Sequence, residues 1–323
     1  MKSSIARAGT IAAAVCMVAL LFAGAGCQRK DQGAADRKLR VVATLFPLYD
    51  FAGNVGGDRA EVTLLLPPGV EAHSYEPKPG DVVRATTADV FIFTGKFMEP
   101  WAEGFLKGVN QPGLVVIDAS RGIALVDVKG EDHELGKNDA GHGHGHSTVD
   151  PHIWLDFANA RKMVDTIAEG FAAKDPPNRE LYLKNAALYN AKLADLDREY
   201  RETLAACQKK VIIHGGHFAF GYLARRYGLT YEAAYGGSPD AEPTARRLVE
   251  MKNKLKQYGV DYVYYEELIT PRVADVLARE TGAKLLKLHG VHNISKEDMN
   301  QGVTYLQLMA QNLTNLKTGL QCQ

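Results

Sequence analysis

The sequence has no excess of charge of either sign. Its 323 residues contain 38 Lys and Arg against 38 Asp and Glu, and no long basic run occurs. Because proteins bind nucleic acid through clustered positive charge, we expect no nucleic-acid partner. Long apolar runs are also missing after residue 26. We therefore expect no later segment to cross a bilayer, since a spanning helix needs about 20 apolar residues.

Cysteine is scarce, with four positions in the whole chain. Residues 1–26 have a positively charged start and an apolar run at 11–22, which is typical of a secretory signal peptide and too short to span a membrane. Cys27 directly follows small residues, as in a bacterial lipobox. We therefore expect Cys27 to carry lipid and to anchor an extracytoplasmic lipoprotein in the periplasm or at the cell surface. The polar residues 27–38 would form its tether.

Two further cysteines remain after the signal peptide and the lipidated residue are set aside. Cys207 and Cys322 form one matched pair in a chain that we expect to meet an oxidising compartment. They could form a disulfide that ties the C-terminus to the body of the protein. The alternative is two unpaired thiols.

Short β-rich runs alternate with helical stretches through the chain. They lie at 40–46, 61–66, 90–94 and 114–117, and again at 210–214, 229–235, 261–265 and 284–288. Most are continuously apolar, as expected of parallel strands that are buried on both faces. Their alternation with helices implies right-handed βαβ units. We predict an α/β protein of two lobes, residues 39–177 and 207–323, each built on a parallel four-stranded sheet.

A long helix is predicted between the lobes over residues 178–206. A preceding helix over 157–173 is stopped by Asp175-Pro176-Pro177. The predicted apolar face consists of Leu181, Leu188, Leu193, Leu196, Tyr200 and Leu204. At 1.5 Å per residue the helix would span about 40 Å, the size of a small lobe. A rigid linker helix is the simplest interpretation, and a helix packed on one lobe alone is the alternative.

Residues 130–148 differ from their surroundings because they are polar, rich in Gly and His, and without apolar periodicity. We expect a mobile surface loop there. His142, His144 and His146 alternate with glycine within it and predict an auxiliary metal-binding loop. His133 is expected to belong to the same loop.

Three histidines outside this loop are the principal candidates for a metal site. His73 follows the predicted strand 61–66, His152 precedes the helix 157–173, and His217 follows the strand 210–214. Ligands of open α/β sheets bind at the carboxyl ends of the strands, and neutral imidazole is the commonest nitrogen ligand of transition metals. Because the three residues come from both lobes, we predict a metal site in the cleft between the lobes.

The fourth ligand is less clearly defined by the sequence. His289 follows the last strand, at the edge where a ligand would be needed, and His292 is an alternative on the same loop. Glu266 and Glu267 follow the strand 261–265 and are the carboxylate candidates, with Glu266 as the second alternative. His214 is expected to be buried and to orient a neighbouring residue.

These motifs resemble those of the zinc and manganese solute-binding lipoproteins of bacterial ABC transporters, the cluster A-I family of ZnuA, TroA and PsaA. The shared patterns are Pro-Gly…His-x-Tyr-Glu-Pro-x-Pro at His73, Asp-Pro-His-x-Trp-Leu at His152 and His-x-Ala-Phe-x-Tyr at His217. The resemblance covers about residues 39–320.

The resemblance implies two Rossmann-like lobes joined by a rigid helix, with metal held in the cleft as cargo. It also implies delivery of this metal to a membrane permease driven by an ATPase. We expect the protein to be a monomer. One departure concerns the last strand, where the family often has Asp or Glu and this chain has His289.

The donor types favour Zn²⁺ as the cargo. Imidazole suits zinc and its neighbours, whereas oxygen donors suit Mn²⁺. The resemblance supports the same choice, because manganese-type members have Glu at the position of His217 and His-rich loops occur mainly in zinc-type relatives. Mn²⁺ remains the alternative, and copper or nickel is not excluded by affinity alone.

A secreted zinc hydrolase is the alternative of a different class, since three histidines and one open position also describe a catalytic zinc site. The sequence has no His-Glu-x-x-His helix, no Gly-x-Ser-x-Gly elbow and no Gly-rich phosphate loop. We therefore predict a metal carrier and not an enzyme.

Overall fold

The computed structural model describes residues 37–127, 149–236, 243–268 and 270–323. Its strands are β1 (Leu39–Ala43), β2 (Ala60–Leu64), β3 (Val90–Phe93), β4 (Val115–Asp118), β5 (Val211–His214), β6 (Thr230–Ala233), β7 (Tyr262–Tyr265) and β8 (Lys284–Lys287). They form two four-stranded sheets with the orders β2-β1-β3-β4 and β6-β5-β7-β8. Every pair of neighbouring strands is parallel. The predicted α/β architecture with two parallel sheets is confirmed.

Helices cover and connect the sheets. In the described part of the chain they are α1 (Phe46–Gly56), α2 (Pro79–Thr87), α3 (Ala102–Gly108), α4 (Phe157–Lys174), α5 (Arg179–Ala205), α6 (Gly221–Tyr227), α7 (Ala245–Tyr258), α8 (Arg272–Thr281), α9 (Lys296–Asn300) and α10 (Tyr305–Gly319). None of these described helices combines the length and the apolar character needed to cross a membrane.

The strand order creates a crevice at the carboxyl edge of each sheet. In both sheets the first strand in sequence lies inside, with the second strand on one side and the third on the other. The connection that leaves β1 therefore runs towards β2, whereas the one that leaves the adjacent β3 runs towards β4, so the loops after these two strands diverge, as do those after β5 and β7. Ligands of open α/β sheets bind at such switch points. The predicted ligand loops follow β2, β5 and β8 and lie at these edges.

Helix α5 contacts both lobes and packs most extensively on the first. It lies along α4 and α1, and near its C-terminus it contacts α6 and α10. The Tyr189 hydroxyl donates to Oδ1 of Asp50 in α1 at 2.6 Å, and the Tyr200 hydroxyl donates to the carbonyl of Met309 in α10 at 2.6 Å. Buried tyrosines thus join this helix to one helix of each lobe.

The hydrophobic core extends through both lobes. One continuous cluster of buried side chains includes Val42 and Phe91 from the first sheet together with Ile212 and Leu316 from the second lobe. A smaller cluster lies on the other face of the second sheet. The end of the chain is attached to this body, since Cys207 after α5 is bonded to Cys322 after α10.

Candidate metal centre

Four histidine rings converge between the carboxyl edges of the two sheets. Nε2 of His152 lies 3.2 Å from Nε2 of His73 and 3.3 Å from Nε2 of His217. One ring nitrogen from each of these residues and from His292 lies within 4.8 Å of the other three. A tetrahedral ion with Zn–N bonds of 2.0–2.1 Å separates its ligands by about 3.3 Å. Two of the donor pairs already have this separation.

The four rings come from four loops. His73 lies on the loop after β2, His152 immediately before the short 3₁₀ turn Ile153–Leu155, His217 after β5, and His292 after β8. His152, His217 and His292 are buried, and His73 is partly exposed. His73 therefore lies on the solvent side of the cluster.

His152 is oriented by Asp150, which the sequence reasoning did not select. Oδ1 of Asp150 lies 2.7 Å from Nδ1 of His152 and accepts the His152 backbone N–H at 3.0 Å. A proton shared at Nδ1 leaves the Nε2 lone pair facing the cluster. Burial raises the pKa of Asp150 to about 8, and a cation bound nearby would favour the ionised carboxylate. The only signal in the sequence was an acidic residue two positions before the histidine.

His217 lies beside Glu266, one of the predicted alternatives for the fourth ligand. Oε1 of Glu266 accepts the His217 backbone N–H at 3.2 Å. Oε2 lies 2.5 Å from Nδ1 of His217, at an angle that does not make a hydrogen bond. Glu266 thus contacts the outer side of the His217 ring and is not among the four clustered residues.

Burial keeps three of the rings neutral. Burial, followed by the neighbouring imidazoles, holds the pKa of His73 and of His152 well below the ordinary value. The same causes lower the pKa of His217 to about 3. Since a metal binds only the deprotonated ring, these residues are in the binding-competent form at neutral pH.

His292 has a different electrostatic environment. Burial lowers its pKa, but Glu267 and other carboxylates outweigh this effect and raise it. Nδ1 of His292 lies 3.5 Å from Oε1 of Glu267, whereas Nε2 is buried without a hydrogen-bond partner. The unpartnered Nε2 is the atom available to a metal. The pKa of Glu267 falls to about 2 because His289 and His292 outweigh the effect of burial.

His289, which was predicted from the sequence as the fourth ligand, is not among the four clustered residues. Its Nδ1 accepts the backbone N–H of Val291 at 2.9 Å, which occupies the nitrogen lone pair. Burial also lowers the pKa of His289, so the ring is neutral. The structure therefore brings His292, the predicted alternative, to the other three histidines.

His214 is fully buried and also lies outside the cluster. Its Nδ1 is 3.4 Å from the Tyr231 hydroxyl. The neighbouring Gly216 has no room for a side chain, because a Cβ there would lie 2.7 Å from Cε1 of His214 and closer still to Glu266. The glycine thus lets Glu266 approach the backbone of the His217 loop.

Trp154 is a second residue of the site that the sequence reasoning did not select. Its indole N–H donates to the Gly290 carbonyl at 2.8 Å, and its ring lies 5.4 Å from that of His292 and 5.5 Å from that of His152. It joins the first lobe to the loop that carries His292. The predicted auxiliary residues His142, His144 and His146, like His133 and the predicted lipidation site Cys27, lie outside the described residues.

The fold and the site together define a two-lobed α/β protein with a histidine-rich metal centre between its lobes. Residues 41–319 match the family described as zinc-uptake complex component A, periplasmic. The chain belongs to this ZnuA family.

Individual relatives agree with this assignment. The chain is 38% identical over 312 residues to the high-affinity zinc uptake system protein ZnuA of Bacillus subtilis, covering 97% of each sequence. It is 37% identical to the zinc-binding lipoprotein AdcA of Streptococcus pneumoniae, matching 89% of this chain but spanning only 57% of that protein. The solved Zn(II)-bound ZnuA-like domain of AdcA superimposes with a TM-score of 0.73 at 35% identity, over 88% of this chain and 99% of that domain.

Proposed function

We propose that the protein captures Zn²⁺ as cargo between its two lobes and delivers it to the permease of an ABC importer driven by an ATPase. The observation that carries the proposal is the convergence of four ring nitrogens within 4.8 Å of one another, with two Nε2 pairs at 3.2 and 3.3 Å, the separation of donors around a tetrahedral zinc ion. His73, His152, His217 and His292 would each supply one nitrogen.

The donor set favours zinc over manganese. All four clustered residues offer imidazole nitrogen, which suits Zn²⁺, whereas Mn²⁺ is better matched by carboxylate and water oxygens. Glu266 and Glu267 lie next to the ligands and act on their outer sides. In this arrangement the carboxylates orient the rings and balance charge without replacing nitrogen at the metal.

Four protein ligands also favour carriage over catalysis. A catalytic zinc site keeps a position open for water or substrate, while a site with four protein ligands is closed. We therefore expect stoichiometric and reversible zinc binding without turnover. A secreted zinc hydrolase would instead need one histidine to leave the metal.

The family description and the N-terminal sequence support the proposed compartment and anchor. The family description is periplasmic, and the small residues before Cys27 support lipidation there. We propose a monomeric, membrane-anchored lipoprotein outside the cytoplasm, with the metal site in residues 39–323 and His142, His144 and His146 gathering zinc weakly. The boundaries of the linker helix, after residue 177 and after residue 206, also remain predictions.

Replacing the fourth ligand tests the proposed site. His292→Ala should weaken Zn²⁺ binding by at least about a hundredfold. Loss of a residue that only supports a ligand costs up to about a hundredfold, and loss of a ligand should cost more. The measurement is competitive titration of the purified protein against a chelator with Zn²⁺, Mn²⁺, Cu²⁺ and Ni²⁺.

His292→Glu is the matched control, since it restores a donor but supplies oxygen. It should recover part of the zinc affinity and narrow the preference for Zn²⁺ over Mn²⁺. If Mn²⁺ outcompeted Zn²⁺ in the unmodified protein, the cargo assignment would fail. If His292→Ala bound zinc normally, the fourth position would belong to another group.

A further inference from the structure

The loop that carries His292 has an uncommon backbone conformation one residue before the ligand. Val291 has a φ of 61°, in the left-handed region. A β-branched side chain is strongly disfavoured there because its Cβ crowds the backbone. Val291 is also completely buried. A conformation of this kind persists only where surrounding contacts enforce it.

Side chains bind the backbone at the start of this turn. Asn312 binds both backbone groups of His289, accepting its N–H at 2.7 Å and donating to its carbonyl at 2.8 Å. Glu267 accepts the Gly290 N–H at 2.7 Å, and Trp154 donates to the Gly290 carbonyl. The contacts on Gly290 and His289 fix where the turn begins.

The contact on Val291 itself comes from the ring of His289. Its Nδ1 accepts the Val291 N–H at 2.9 Å, which closes a ring between a side chain and the backbone two residues later. Nδ1 therefore carries no proton, and the lone pair cannot also bind a metal. Oε1 of Glu267 lies 3.3 Å from the same Nδ1 without adding a hydrogen bond.

The neighbouring carboxylate alone does not account for the position of His292. Oε1 of Glu267 is 3.5 Å from Nδ1 of His292, at the outer limit of a hydrogen bond. The backbone of His292 directly follows the left-handed residue Val291, so the conformation of Val291 bears on the direction of the His292 ring. The His292 carbonyl also accepts the Phe46 N–H at 3.1 Å, and Trp154 packs 5.4 Å from the ring, so the left-handed turn determines the direction in which the chain enters these contacts.

We propose that His289 is a positioning residue: its Nδ1 holds Val291 in the left-handed conformation and thereby directs Nε2 of His292 toward the other three histidines. This inference rests on the proposed zinc function and deepens it. It assigns two roles to the segment His289-Gly290-Val291-His292, in which the first histidine orders the turn and the last binds metal.

The test compares two substitutions of His289 in the full protein. His289→Asn keeps an acceptor, because its Oδ1 can take the place of Nδ1, whereas His289→Leu removes it. His289→Leu should lose about 10–100-fold in Zn²⁺ affinity, as expected for loss of a residue that orients a ligand. His289→Asn should remain close to the unmodified protein.

A second substitution separates positioning from general damage. Glycine adopts positive φ without strain, so Val291→Gly should restore zinc affinity in the His289→Leu background. The absorption spectrum of the Co²⁺ form gives a readout at the metal, since losing one imidazole to water changes the ligand field. We expect a changed spectrum for His289→Leu and recovery of the original spectrum with Val291→Gly. The free energy of unfolding of each metal-free variant identifies any general loss of stability.

Three results would overturn the inference. They are unchanged zinc affinity in His289→Leu, equal losses in His289→Asn and His289→Leu, or no recovery on adding Val291→Gly. The second result would make the imidazole itself a ligand. If instead the proposed zinc function were wrong, the unmodified protein would not bind Zn²⁺ and His292→Ala would have no effect. That outcome is distinct from the three results above.

Discussion

Glu99 is a buried carboxyl group that stands apart from the metal ligands, at the carboxyl edge of the first sheet. Its Oε1 accepts the Thr44 hydroxyl at 2.5 Å, and its two oxygens accept the backbone N–H groups of Thr94 and Gly95 at 3.1–3.2 Å. These bonds join the loops after β1 and β3. Burial nevertheless outweighs them and raises the pKa of Glu99 to about 7.

The raised pKa of Glu99 predicts a dependence of stability on pH. Between pH 4.5 and 7 the folded protein holds a proton on Glu99 that the unfolded chain releases. The free energy of unfolding should therefore fall as the pH rises through this range. The shift corresponds to about 3 kcal/mol. Glu99→Gln should remove this component, as measured by urea unfolding of the metal-free protein from pH 4.5 to 8.

The quantity to compare is the difference in free energy of unfolding between the unmodified protein and Glu99→Gln at each pH. The buried histidines with lowered pKa act in the opposite direction, because the unfolded chain takes up their protons as pH falls below about 6.5. The contribution of these histidines is common to both proteins and cancels in the difference, while any constant effect of the amide shifts the difference equally at every pH and leaves its slope unchanged. Parallel curves for Glu99→Gln and the unmodified protein would contradict the assignment.

Single residues differ in how far the sequence could identify them. His73, His152 and His217 could be selected because each lies at a predicted strand or helix boundary on the correct edge of a sheet. The choice between His289 and His292 could not be made in this way. It depends on the left-handed backbone at Val291, and nothing in the local sequence signals that a valine adopts it.

At the scale of elements, the pattern of strands and helices was readily predictable, and the faces of the helices were less so. All eight predicted strands occur, with ends that differ by up to three residues. In α5, however, the predicted apolar residues Leu181 and Leu188 are 37% and 56% exposed, and Tyr182 and Tyr189 are buried instead. The tyrosines bury their rings because each hydroxyl finds a carboxylate, Asp175 and Asp50 respectively.

The bond between Cys207 and Cys322 joins the ends of two helices, α5 and α10. It spans 115 residues of sequence, which include the whole second sheet. A crosslink restricts the unfolded chain, and removing one from a loop of this length costs about 2–5 kcal/mol of stability. Cys322→Ser should lower the free energy of unfolding by this amount, measured by urea denaturation.

The disulfide prediction has an internal control in the unmodified protein. A reductant should lower the urea midpoint of the unmodified protein toward that of Cys322→Ser. It should leave the urea midpoint of the variant unchanged. Zinc affinity of the folded variant should stay the same, because the bond lies outside the histidine cluster. A midpoint that reductant does not alter would indicate that the bond contributes nothing to stability.

At the scale of the whole molecule, the two lobes are more closely joined than a linker helix alone would require. The second lobe's loop after β8 is hydrogen-bonded to the first lobe, since the Phe46 N–H donates to the His292 carbonyl at 3.1 Å and the Gly69 N–H to the Ile294 carbonyl at 2.8 Å. The Asn293 amide donates to the carbonyls of Pro67 and Val70. These contacts, like the shared core, depend on distant residues and were not foreseeable from local sequence patterns.

Zinc that is held by residues from both lobes should stabilise the molecule as one unit. The free energy of unfolding should rise with free Zn²⁺ by mass action, by about 2.7 kcal/mol at a hundred times the dissociation constant and by about 1.4 kcal/mol for each further tenfold. His73 and His152 come from the first lobe and His217 and His292 from the second. A single calorimetric transition should therefore move to higher temperature as zinc is added, and His292→Ala should need more zinc for the same shift. Two transitions, of which only one responded to zinc, would show that one lobe binds the metal alone and would contradict a site shared between the sheets.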